Sequence, residues 1–240
     1  MTIKNILINS ADRNTGTPSN FSYQLLYAIT NPTTIALETI QMFHTQYTID
    51  TRNNKLYWTD GASVAHTSTL TSGTYTATAL ASHIETVMNA DDTNSDTYTV
   101  SFSTITGKIT IACGSNFSLT FGTNTINSVA FVIGFENTNK TGASTYTGEN
   151  IVKLNTKYYT VHCNFVDNCT YQANAVSSSW IVPASTSWGD LITYSPQLAK
   201  SFKTNQTEIS SIQIFVKDDK GYIVDFNGVD WSANFVVNAN

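Results

Sequence analysis

Apolar and polar residues alternate with period two over long stretches of this chain. Phe21, Tyr23 and Leu25 fall on one side of an early stretch, and Tyr98, Val100 and Phe102 on one side of another. The same alternation recurs at Ile109, Ile111 and Cys113, and again at Phe117, Leu119 and Phe121. Later stretches show it at Tyr159, Val161, Cys163 and Phe165, at Ile212, Ile214 and Val216, and at Tyr222, Val224 and Phe226. Ser, Thr, Asn and Gln dominate the positions between them. A strand places successive side chains on opposite faces, so this pattern predicts antiparallel strands that bury one face each. Turn-forming residues punctuate the runs at Thr106-Gly107, Asp219-Lys220-Gly221 and Asn227-Gly228, the last a dipeptide suited to a hairpin turn. The opening MTIKNILINSADR reads as a first strand, because its apolar stretch is too short for the core of a signal peptide.

Two segments follow a different period. Leu80, Ile84, Val87 and Met88 have the spacing of an amphipathic helix, with Thr78 as its expected N-cap. A second short helix is expected from Ile126 to Ile133, stopped by Gly134. Residues 136–150 are polar and poor in large aliphatic residues, and they read as a long surface loop and a candidate module boundary. Strands near 3–48 and 151–240 thus flank a central unit of about 55–135. The expected fold is all-β: a single antiparallel jelly-roll sandwich over 1–240, with a helix-plus-β-meander insertion at 55–135.

Composition strengthens the sheet reading. Charged residues make up 12% of the 240 residues, against roughly a quarter in ordinary domains. Ser and Thr take their place at about a quarter of the chain, and threonine favours strands. The net charge of -5 and scattered Lys and Arg argue against a general nucleic-acid surface, which needs clustered cations. No run of 18 apolar residues is present, so no helical membrane span is expected. Three cysteines, Cys113, Cys163 and Cys169, are too few for a disulfide framework and are expected to be reduced. Asn-x-Ser/Thr triplets begin at Asn20, Asn116, Asn139, Asn168 and Asn205, no more than chance supplies in so Asn- and Thr-rich a chain.

Candidate chemistry is sparse. The histidines, His44, His66, His83 and His162, are dispersed. His162 alternates away from Val161 and Cys163 and is expected to face solvent. His162 and Cys169 lack a second pair at metal-ligand spacing. Asp92-Thr93-Asn94-Ser95-Asp96 begins like a calcium loop, but Thr97 and Ser103 stand where an EF-hand requires Gly and Glu. It reads as a polar helix-to-strand turn. Asp60, Asp219 and Asp225 also fall in turns. No catalytic site, metal site or cofactor is expected. The 12 Tyr, 12 Phe and four Trp belong chiefly to the core, and they leave open a carbohydrate-binding jelly roll of lectin or fibre type.

Three stretches together resemble a family. Ile8-Asn9-Ser10-Ala11-Asp12-Arg13 followed by Pro18-Ser19-Asn20-Phe21 is similar to the opening of minor capsid (penton) proteins of virophages, polinton-like viruses and nucleocytoplasmic large DNA viruses. Gly73-Thr74-Tyr75, the Leu80–Met88 helix, Gly107-Lys108-Ile109-Thr110-Ile111, Phe117-x-Leu119-x-Phe121 and Gly134-Phe135 resemble their central block, with Ile133 where Leu is usual. Asp219-Lys220-Gly221 through Asn227-Gly228-x-Asp230-Trp231 resembles their closing strand pair. The resemblance implies a non-enzymatic virion protein assembled in the host cytoplasm. It further implies homopentamers at icosahedral vertices and contact with double-jelly-roll major capsid proteins, without direct nucleic-acid contact or a membrane span. Asp12 and Arg13 are then candidates for tying an arm to a neighbouring subunit, or for an intramolecular turn pair. Gly134 and Phe135 are expected to stop a helix and plug the core, Asn227-Gly228 to turn a hairpin, and Trp231 to be buried.

Overall fold

The computed structural model describes residues 2–164, 166, 180–204 and 206–240. The chain begins with β1 (Thr2–Asn9), a 3-10 turn (Ser10–Asp12), β2 (Thr15–Thr17), β3 (Asn20–Thr30) and β4 (Pro32–Phe43). Then come β5 (Lys55–Thr59), β6 (Ala65–Thr69), the helix α1 (Ala77–Asp91), β7 (Tyr98–Ser103), β8 (Lys108–Leu119) and β9 (Lys140–Thr147). The remaining strands are β10 (Tyr158–Cys163), β11 (Trp180–Pro183), β12 (Leu191–Tyr194), β13 (Ser201–Lys203), β14 (Glu208–Asp218) and β15 (Ser232–Ala239). They form two compact units, one of Met1–Gln46 with Thr156–Asn240 and one of Tyr47–Asn155. Among the described residues no helix is long and apolar enough to cross a membrane.

The first unit is a jelly-roll sandwich of two antiparallel sheets. One has the order β1-β15-β4-β12, with β13 also on β4, and the other the order β11-β10-β14-β3-β2. Strands from the two chain ends lie side by side: β1 pairs with β15 through Ile6↔Phe235 and Ile8↔Ala233, and β3 with β14 through Phe21↔Ile214. The inward positions of both sheets (Ile8, Leu37, Ile40, Val161, Ile214 and Phe235 among them) form one core. Register irregularities interrupt the alternation. On β4 the register against β15 shifts between Asn234 and Phe235, so Ile35 and Leu37 are buried and then, in the opposite phase, Ile40 and Met42. On β3, Leu25 to Ala28 lie opposite the single residue Ser210, a bulge that turns side chains outward.

The second unit is a sheet of order β6-β5-β8-β7 with β9 on β8. Its core joins Trp58, Leu119 and Ile111 of the sheet to Leu80, Ile84 and Met88 of α1, the helical stripe that the sequence predicts. The helix is capped by Thr76, not Thr78: Thr76 Oγ1 accepts the Ala79 N–H at 3.1 Å. The two strands expected at 109–113 and 117–121 are one long strand, β8.

Three further expectations are corrected. Ile126–Ile133 is a succession of turns instead of a helix. Lys55 donates its N–H to Asn127 O and accepts that of Val129, so the backbone there is taken up by a neighbouring strand. The polar 136–150 stretch is not a loop throughout but contains β9, paired to β8 through Ile111↔Tyr146 and Phe117↔Ala143. A ladder is made by backbone groups, so an edge strand tolerates a polar sequence. Tyr222–Phe226 is not a strand: Val224 and Phe226 are buried, but backbone pairing is confined to isolated bonds such as Val224 N–H to Val216 O. The last strand is β15 instead.

Candidate functional site

Pairing of β1 with β15 brings the turn after Asn9 against the segment before Ser232. Ser10 is fully buried there; its hydroxyl donates to Asp230 Oδ1 (2.7 Å) and accepts the Trp231 N–H (2.9 Å). Arg13 donates to the Ser10 carbonyl (2.6 Å) and pairs with Asp230 Oδ1 at 2.9 Å. Asp12 lies exposed on the same turn. Trp231 is buried against Phe21 and Phe226, and its indole N–H donates to Pro18 O at 2.7 Å. Asn227 and Gly228 have φ of 52° and 79°, the consecutive left-handed pair of a type I′ turn. This turn leads from Phe226 to the Asp230-Trp231 pair that meets Ser10, and not between two ladder strands.

Gly134 and Phe135 belong to the second unit. Phe135 is buried beside Phe121, with ring centroids 5.7 Å apart. Gly134 has φ of +87°, and a Cβ there would overlap the Asn150 carbonyl. Its own carbonyl accepts the Asn150 N–H at 2.8 Å, so the absent side chain is what allows the two segments to touch.

The acids of the second unit are engaged locally. Burial pushes the Asp60 carboxyl up, but His66 (2.9 Å), the Val64 and Ala62 N–H groups and the Thr93 hydroxyl outweigh it and hold it below the usual carboxylate range. Asp92 accepts the N–H groups of Asn94 and Asp96, as in a side-chain-closed turn. Asn94 and Ser115 lower Asp96. Among the described residues no group of three His, Cys, Asp or Glu side chains is placed to hold a metal ion. His162 does not face solvent freely. It is buried, stacked on its cross-strand partner Phe215 at 4.6 Å and 5°, with Nε2 3.0 Å from Thr160 Oγ1. Burial, then the nearby Lys217, lowers its pKa to about 4. The Phe215 ring, contributed by the neighbouring strand, lies over the imidazole on the outward face, a contact that period-two reading cannot see. Cys163 is buried and Cys113 half-buried; Phe165, Cys169, Asn168 and Asn205 lie outside the described residues.

The sandwich unit exposes apolar side chains on two flanks. On one, Lys4–Leu7 of β1 and Tyr23–Ile29 of β3 line a groove of about 320 Å³. Leu7, Leu26 and Tyr27 are 72%, 87% and 81% exposed. On the other, Trp180, Ile181, Tyr194, Pro196, Leu198 and Lys200 contribute to a smaller pocket of about 160 Å³, and Leu198 is 91% exposed. Trp188 is half-exposed, whereas Trp58, Trp180 and Trp231 are buried.

No protein-family model and no curated protein matches the chain. Among solved structures, the crystal structure of selenomethionine-labelled mavirus penton protein is similar over 100% of both chains, with a TM-score of 0.52 and 8% identity. The fold is penton-like. Within this penton-like fold, Asn227, Gly228 and Trp231 lie in a turn and core of the sandwich and Gly134 and Phe135 in those of the second unit, while the exposed flanks escaped sequence reading. A signal for them exists. β1 carries apolar residues on both faces (Ile3 and Leu7 against Ile6 and Ile8), and Leu25-Leu26-Tyr27-Ala28 breaks the alternation of β3.

Proposed function

We propose that this chain is a structural virion protein, a minor capsid (penton) subunit that forms pentamers at icosahedral vertices and contacts double-jelly-roll major capsid proteins. The observation that carries this reading is a fold likeness to mavirus penton protein running over the whole of both chains, the inserted unit included. A jelly roll alone hosts many functions; the sandwich and its insertion together narrow the field. Apolar flanks on an otherwise polar, weakly charged chain support the same reading, because exposed apolar surface of this kind marks contact sites. On this reading residues 1–240 act as one capsid domain with an insertion near 55–135, assembled in the host cytoplasm into the virion. Asp12, exposed on its turn, is free in geometry to meet a neighbour, whereas Arg13 reaches one by releasing Asp230.

Electron microscopy and sedimentation of the purified full chain test it. Discrete rings, five-fold in projection, are expected. A protein that stays monomeric at high concentration, and is left out of particles formed with a major capsid protein, overturns it.

A further inference from the structure

The two exposed flanks occupy opposite edges of the same sandwich. In the order β1-β15-β4-β12, β1 and β12 are at opposite ends, and in the order β11-β10-β14-β3-β2 the three-residue β2 leaves most of β3 as the edge opposite β11. The larger groove is lined by β1 and β3 together, and the smaller pocket by β11 with the β12–β13 connection. Among the described residues β1 pairs with β15 alone, so its other side presents unpaired backbone groups, the usual template for adding a partner. The flanks differ in relief. The first is a groove walled by the β3 bulge, and the second carries Leu198 at 91% exposure beside a pocket half the size.

We propose that the sandwich unit joins copies of itself head to tail, the β1/β3 groove of one copy receiving the β11/β12 flank of the next, with Leu198 seated beside Leu26 and Tyr27. This deepens the capsid-subunit reading and rests on it. A second copy is the occupant that the observations favour, because one contact then covers both apolar flanks of every subunit. A groove-to-groove dimer would face two hollows and leave Leu198 and Ile181 in water. A heterologous contact of this kind closes into a ring when its rotation divides the circle.

Two full-length variants test the proposal, Leu26→Arg on the groove and Leu198→Arg on the opposite flank. Both side chains are solvent-exposed in the single copy, so each variant should keep the circular-dichroism spectrum of the unaltered protein and the two should melt at the same temperature as each other, which excludes misfolding. By sedimentation velocity each variant alone should be monomeric, with association weakened about 100-fold or more. Mixing the two should restore a 1:1 dimer, since the groove of the Leu198 variant and the opposite flank of the Leu26 variant are both intact. Rings of unaltered protein that persist in both variants overturn the flank assignment while leaving the capsid reading standing. Monomeric variants that fail to pair on mixing overturn the head-to-tail arrangement, again without touching that reading. A monomeric unaltered protein overturns both.

Discussion

At the scale of single residues, the buried Ser10 is held by partners far away in sequence. Ser10 and Asp230 are 220 positions apart, yet Ser10 satisfies both the Asp230 carboxylate and the Trp231 N–H. Ser10→Ala leaves that buried N–H without its acceptor and should cost about 1–3 kcal/mol. Arg13→Ala removes a partly solvated pair and should cost about 1 kcal/mol or less. His162 gives a pH signature. Its pKa falls from 6.5 in the unfolded chain to about 4 in the native one, so the unfolded state takes up a proton first. Stability linked to His162 is therefore complete above pH 6.5 and is lost progressively as pH falls towards 4. In chemical denaturation from pH 7 to pH 4, unaltered protein should lose more stability than His162→Phe. An equal loss in the two proteins would exclude the buried, neutral imidazole.

At the scale of elements, ladder geometry and close approach decide what propensity leaves open. At the bulge of β3 against Ser210 the inward set of β14 changes phase between Ile209 and Ile212, and at the register shift against β15 that of β4 changes phase between Leu37 and Ile40. Gly134 and Gly228 separate two meanings of a left-handed glycine. Around Gly228 a Cβ would meet nothing within 4 Å, whereas at Gly134 it would overlap backbone. Gly228→Ala should therefore cost about 1–2 kcal/mol of conformational strain. Gly134→Ala should cost about 3 kcal/mol or more, because the Asn150 backbone must also move. Urea midpoints of the two variants check the order; equal shifts would show that the close approach at Asn150 contributes nothing.

At the scale of the whole chain, two hydrophobic cores share no residue: one is built from the two chain ends, the other from the segment between. Calorimetry should resolve two transitions, since cooperativity follows a shared core and multi-unit chains depart from two-state behaviour. Ser10→Ala should lower one of them and Gly134→Ala the other. A single transition lowered by either substitution would show that the cores melt as one.

Much of the strand content, the α1 stripe and the inward set on most strands were legible from period two and period 3.6, because each depends on which side chains leave water, a local property of the sequence. Phe135 and Trp231 are buried, as their apolar side chains lead one to expect, whereas Gly134 follows turns and stops no helix, and Asn227-Gly228 joins no pair of strands. What Arg13 contacts, which polar stretch becomes β9, why His162 is covered and why Leu26, Tyr27 and Leu198 remain in solvent were decided by tertiary structure. Each depends on a neighbour contributed by a distant segment: Asp230 for Arg13, β8 for β9, Phe215 for His162, and β14 opposite the β3 bulge. The alternating pattern alone determined an antiparallel β protein with one buried face per strand; only the closing of chain ends onto one another determined which surfaces it has left to offer.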